Sequence, residues 1–184
     1  MEMWNNMTKD EKDIGKEITK LLMSDNYQEC INLIRKELKR QKDDHWLYAS
    51  LSSAYYGMGK YKRALKAAEK ALNLEMDCPL SQWYYATSLE RIGNQDEALD
   101  VYKHLLDRCV RNVAFGTCGE GLSRAKSLLN DCRFRIGSIY MSKQDLKSAK
   151  KWFKLYIRKR KEGVRSIFRL KTILAELKKC ENTK

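Results

Sequence analysis

Proline is nearly absent from this chain: Pro79 stands alone among 184 residues, and only nine glycines accompany it. Proline removes a backbone donor and clashes with the preceding turn, so its scarcity leaves the chain free to be helical almost throughout. Long apolar runs are missing too. No stretch of about 18 apolar residues is present to cross a bilayer, and the opening MEMWNNMTKDEK lacks the apolar segment of a secretion signal. A soluble, cytoplasmic protein with no membrane partner is expected.

Catalytic signatures are equally scarce. There is no HExxH and no GxSxG, and His45 and His104 are the only candidate bases near neutral pH. Asp96, Glu97 and Asp100 cluster where negative charge favours the start of a helix, which is a structural arrangement rather than an acid–base pair. Six cysteines occur, at 30, 78, 109, 118, 132 and 180, but no Cys-x-x-Cys pair, so a structural zinc would lack ligands at the usual spacing. A non-catalytic protein without metal or cofactor follows. The glycines at 116, 119 and 121 precede a helix, yet no strand leads into them and no Gly-Lys-Ser/Thr follows, so a phosphate-cradling loop is disfavoured against a simple chain reversal.

What is present is a repeat. Placing Ala64 over Ala98, an offset of 34, aligns YKRALKAAEKALNL with QDEALDVYKHLLDR, and Gly59 and Gly93 each stand five residues before the alanine. Tyr48, Leu51 and Tyr55 fall at helical spacing on a first helix, and Ala64, Leu65, Ala68, Ala71 and Leu72 on a second. Small residues let two helices approach closely, and a unit of this size cannot bury its apolar face alone, so it must stack on neighbours.

These residues resemble the tetratricopeptide repeat family. They are Tyr48, Leu51, Tyr55, Gly59, Tyr61, Ala64 and Ala71 in a unit at 45–78, Tyr85, Ala86, Gly93, Ala98 and Tyr102 at 79–112, and Ile136, Gly137, Tyr140, Ala149, Phe153 and Tyr156 at 130–163. A degenerate first unit at 11–44 has Cys30 in the alanine place, as a small core residue. The resemblance implies an all-α fold, a right-handed superhelix of helix-turn-helix repeats that binds proteins or peptides. A polar lead at 1–10 precedes the units, with Trp4 available to pack on the first helix and Thr8 with Glu11 forming a capping box. Met76 stands where the family usually closes a repeat with proline.

The period then breaks. Ala149 follows Ala98 by 51 residues rather than 34, leaving 17 inserted residues at 113–129. Leu122, Ala125, Leu129, Cys132, Ile136 and Tyr140 keep helical spacing, so the insert predicts a backward extension of the fourth unit's first helix, with 111–121 as a loop. That loop, with Phe115, could cover the groove or touch a partner. Beyond it a capping helix over about 163–180 would turn Val164, Ile167, Phe168, Ile173, Leu174 and Leu177 onto the end of the stack.

Charge is concentrated at this end. Residues 143–184 carry 15 Lys/Arg against 4 Asp/Glu, a net +11 of the chain's +13. Arg158, Lys159, Arg160, Lys161, Arg165 and Arg169 form a basic patch suited to an acidic protein or RNA. For the concave face that the resemblance implies, the peptide-binding residues are Trp46, Tyr56, Trp83, Glu90, Phe134 and Met141, an aromatic groove for an extended or helical peptide. The Lys/Asn/Arg clamp with which some family members hold chaperone C-termini is not expected here: its places hold Gly15, Thr19, Ser50, Leu80 and Tyr84, and one repeat along Ala49, Ser53, Tyr84, Asp131 and Arg135, of which one in five fits. A degenerate first unit leaves homo-oligomer formation open.

Overall fold

The computed structural model describes residues 9–182, with side chains placed for 12–180. Residues 1–8, with Trp4 and the Thr8 half of the expected capping box, lie outside the described residues, while positions 9 and 10 of the expected polar lead already belong to the first helix. Among those described the regular structure is α-helical: α1 Lys9–Met23, α2 Tyr27–Glu37, α3 His45–Gly57, α4 Tyr61–Leu74, α5 Pro79–Ile92, α6 Gln95–Asp107, α7 Val110–Phe115, α8 Leu122–Ser142, α9 Leu146–Lys161 and α10 Leu170–Asn182. They form two compact units, Met1–Ala98 and Leu99–Lys184.

One turn recurs along the chain. Asp25, Gly59, Gly93 and Gln144 all have positive φ, between 59° and 97°, and are spaced 34, 34 and 51 residues apart. The next amide, that of Asn26, Lys60, Asn94 or Asp145, bonds back to the carbonyl of Leu21, Tyr55, Leu89 or Tyr140 at 2.9–3.0 Å. This is the Schellman closure, in which a left-handed residue lets the chain reverse while satisfying an orphan carbonyl of the finished helix. Five residues beyond each turn stands a small side chain with no exposed surface: Cys30, Ala64, Ala98 and Ala149. Glycine adopts this conformation freely, whereas Gln144 is strained in it. Gln144→Gly is therefore expected to stabilise the second unit by about 0.5–1 kcal/mol in urea unfolding, the gain in the turn exceeding the added freedom of the unfolded chain.

In the first unit the hairpins α1/α2 and α3/α4 pack on one another and α5 packs on α4. Its core holds Ile18, Cys30, Ile31, Ile34, Ala54 and Ala64. Ser52, fully buried, donates to the Ala64 carbonyl at 2.8 Å, tying α3 to α4. Pro79 occupies the first turn of α5, where its missing donor leaves no hydrogen bond unmade. Asp44 caps α3 by accepting the Leu47 amide at 3.0 Å.

The second unit differs from expectation in two places. Residues 111–121 are not a loop throughout, because α7 runs to Phe115. Burial of Val113 and Ala114 draws the segment into a helical turn against α8, and the Gly121 amide closes it on the Ala114 carbonyl at 3.0 Å. At Gly119 a Cβ would lie 2.3 Å from that carbonyl oxygen, so the close approach requires glycine. The second correction concerns the capping helix, which begins at Leu170 rather than 163. Gly163, at φ +85°, ends α9, and residues 164–169 then run without helix because Asp131 holds them. Ser166 donates to the Asp131 carboxylate, and the Ile167 amide reaches its other oxygen at 3.5 Å. Ile167, 69% exposed, and Leu174, 42% exposed, thus do not cover the end of the stack. Phe168, Ile173 and Leu177 do, packing with Phe153 and Tyr156.

Candidate interaction surfaces

Trp46, Tyr56, Trp83 and Glu90 lie in the first unit, Phe134 and Met141 in the second. Trp46 is half-buried at the start of α3 and borders a notch whose other walls are Ile14, Gly15, Glu37, Gln41, Asp44 and Leu47. Glu37 is 5% exposed, and among the described residues its carboxylate has only Arg40 for an ion pair, at 3.7 Å. A buried carboxylate held by so long a contact retains capacity for another donor. Trp83 is 8% exposed and belongs to the interior.

Tyr56, at the end of α3, meets Tyr61 of α4 edge-on, with ring centroids 5.3 Å apart and an interplanar angle of 63°. Arg91 of α5 donates to the Tyr61 hydroxyl at 2.6 Å, and its guanidinium carbon lies 4.7 Å from that ring's centroid. Three successive helices thus bring two half-exposed tyrosines and an exposed arginine together, with half-buried Glu90 beside Arg91 in sequence. Between α2 and α3, Arg35 donates to the Tyr55 hydroxyl at 2.8 Å. The Tyr61–Arg91 pairing escapes a reading of first helices alone, because Tyr61 stands on a second helix; its 30-residue separation is one repeat less four.

Phe134 and Met141 are half-buried, and each is touched by the final segment of its own chain. Phe168 stacks on Phe134 with centroids 4.1 Å apart, and Cys180 Sγ lies 3.3 Å from Met141 Sδ. Around Phe168, the Tyr156 hydroxyl donates toward Ser166 Oγ at 2.8 Å and the Phe168 carbonyl at 3.0 Å, and the Arg135 guanidinium lies 5.0 Å from the Phe168 ring centroid. Asp131, enclosed in this arrangement, has its pKa pushed up to about 6 by burial, against the opposing hydrogen bonds of Ser166 and Ile167 and the charges of Arg135 and Arg160.

The basic residues divide by environment. Arg158 and Lys159 pair with Glu162 at 4.0 and 2.6 Å, and half-buried Arg160 donates to the Val164 carbonyl at 2.8 Å. Lys161, Arg165 and Arg169 are exposed. No helix among the described residues is long and apolar enough to cross a membrane.

Helical hairpins closed by one repeated turn, each at a constant distance from a buried small residue, define a helical-repeat scaffold. The tetratricopeptide repeat family matches residues 10–111 and, separately, 131–158, and the chain belongs to that family. Members of this class serve as protein-interaction scaffolds. No curated protein matches the chain. Among solved structures, a MamA RS-1 ArsTM double mutant is similar at 16% identity with a TM-score of 0.59, covering 97% of this chain and 99% of that one. The C-terminal part of a repeat protein from Cytophaga hutchinsonii is similar at 18% identity with a TM-score of 0.46, covering 78% of this chain; the chain spans 63% of that structure's length.

Proposed function

We propose that the protein is a non-catalytic adaptor whose first unit binds a peptide segment of a partner protein through Trp46, Tyr56 and Glu90, with Tyr61 and Arg91 completing the contact. The observation that carries this reading is the half-exposed Tyr56–Tyr61–Arg91 cluster. Tyrosine and arginine are the residue types that contribute most when a partner desolvates them, since each offers a broad flat face together with a polar tip. The notch beside Trp46 supplies a second anchor point, apolar on Ile14 and Leu47 and acidic at Glu37.

Panning a random peptide display library against the protein tests this. Enriched peptides should bind Tyr56→Ala at least about tenfold more weakly, the loss usual for a central aromatic contact, while the thermal unfolding midpoint stays near that of the parent. Peptides that bind both proteins equally would remove this face from the function.

A further inference from the structure

The helix α9 carries eight basic residues and no acidic one. Its buried side holds Ala149, Phe153, Tyr156 and Ile157. On the opposite side Lys147, Lys151, Lys154, Arg158 and Lys161 are all exposed, at steps of four, three, four and three residues. That alternation follows the helical period and sets the five cations in a single line about 21 Å long, at 1.5 Å per residue. Among the described residues Lys151, Lys154 and Lys161 make no ion pair, and the helix adds only Glu162 at its end, against Arg158 and Lys159. Unrelieved repulsion within the row is a cost that neutralisation by an anion removes.

Independently of the first unit's face, we infer that this stripe is a docking surface for the phosphate backbone of a nucleic-acid duplex, bound without regard to base sequence. The chemistry of the row selects this occupant over an acidic protein. Protein interfaces concentrate aromatic residues and arginine at their centres and are depleted in lysine, whereas four of these five exposed cations are lysines, with Trp152 and Leu155 only half-buried beside them. Lysine is a flexible point charge that neutralises phosphates without demanding a fixed geometry. No aromatic side chain of this helix is exposed, Phe153 and Tyr156 being buried and Trp152 half-buried, so successive unpaired bases have no platform to stack on and the contact is with backbone rather than with splayed single strands.

Fluorescence anisotropy with labelled DNA and RNA duplexes of about 20 base pairs, in rising sodium chloride, reads the contact directly. The full chain should bind both, with log affinity falling linearly with log salt at a slope of about −4 to −5 for five neutralised phosphates. The triple variant Lys147→Gln/Lys151→Gln/Lys154→Gln, at exposed positions where glutamine suits a helix as well as lysine, should lower affinity at least about tenfold at low salt. Its salt slope should flatten by about 3. A matched triple, Lys62→Gln/Lys66→Gln/Lys70→Gln on exposed positions of α4, removes equal charge elsewhere and should retain most of the affinity. Equal losses in the two triples, no duplex binding by the parent, or binding of poly-glutamate in preference to duplex would each overturn the inference. Circular dichroism of both triples should match the parent, and a triple that lost helicity would be replaced by single charge removals read through the slope, one unit each.

Discussion

Phe153→Ala is expected to destabilise the second unit by about 3–5 kcal/mol, the range for deleting a buried aromatic side chain whose surroundings cannot collapse. Phe153 has no exposed surface and faces Gly137 so closely that a Cβ built there would lie 2.6 Å from the ring. The glycine is the space the ring occupies. Phe134 closes on it from the side, with centroids 6.1 Å apart, and Phe134 in turn carries Phe168. Removing the ring therefore leaves a void between α8 and α9 and loosens the seat of residues 164–169. Trp152 is the only tryptophan in the second unit. A protein in which Trp46 and Trp83 are replaced by phenylalanine, and Trp4 likewise, would report this unit's urea unfolding through Trp152 fluorescence. Phe153→Leu, which keeps most of the volume, should cost far less. A loss under about 1 kcal/mol for the alanine variant would show that the site relaxes and that the ring is not the centre of the packing.

The pH response of the same unit should be set by Asp131. Burial raises its carboxyl from an ordinary 3.8 to about 6. A group that holds its proton more tightly when folded contributes stability that is complete below its unfolded pKa and lost as pH rises through the folded value. Between about pH 4 and pH 7 the second unit should therefore lose about 2–3 kcal/mol from this group, two pKa units being worth that much. The groups facing it are Arg135, Arg160, Tyr156 and Ser166. The substitution Asp131→Asn puts an amide that cannot ionise in the carboxyl's place. The stability difference between the parent and this variant, measured by urea unfolding at several pH values, therefore isolates the carboxyl from all other groups. It should move by about 2 kcal/mol over the range; a constant difference would mean that the ionised carboxylate is fully compensated where it lies.

The helical-hairpin architecture was legible because it rests on local chemistry that repeats: a residue able to reverse the chain, then a small residue five positions on, then apolar positions at helical spacing. Gly59 with Ala64 and Gly93 with Ala98 display this openly, while Asp25 with Cys30 and Gln144 with Ala149 hide it behind unlike side chains in the same backbone conformation. What was not legible depends on contacts remote in sequence. The grip of Asp131 on Ser166 joins positions 35 residues apart and overrides the helical tendency of the residues after Gly163, so the last helix starts late. The short helix at Val110–Phe115 follows from burial of Val113 and Ala114, which composition does not announce. For the candidate surfaces, helical spacing alone did not announce that the final segment touches Phe134 and Met141, through Phe168 and Cys180. The stripe on α9 was present in the spacing of its lysines, but a patch read as consecutive charges obscures a line read at every third and fourth residue.

Because each left-handed turn fixes its own distance to the next buried small residue, the chain restarts its count at every reversal. Additional residues ahead of a turn lengthen the helix that enters it and leave the helix that leaves it in register. The 17 residues gained before Gln144 were absorbed in this manner, in α7 and the early turns of α8, while Ala149 still arrives five positions after the reversal. Sequence grafted at the exposed residues 115–117, clear of buried Val113, Ala114 and Gly119, should on the same ground remain a local matter and leave the helices on either side in register.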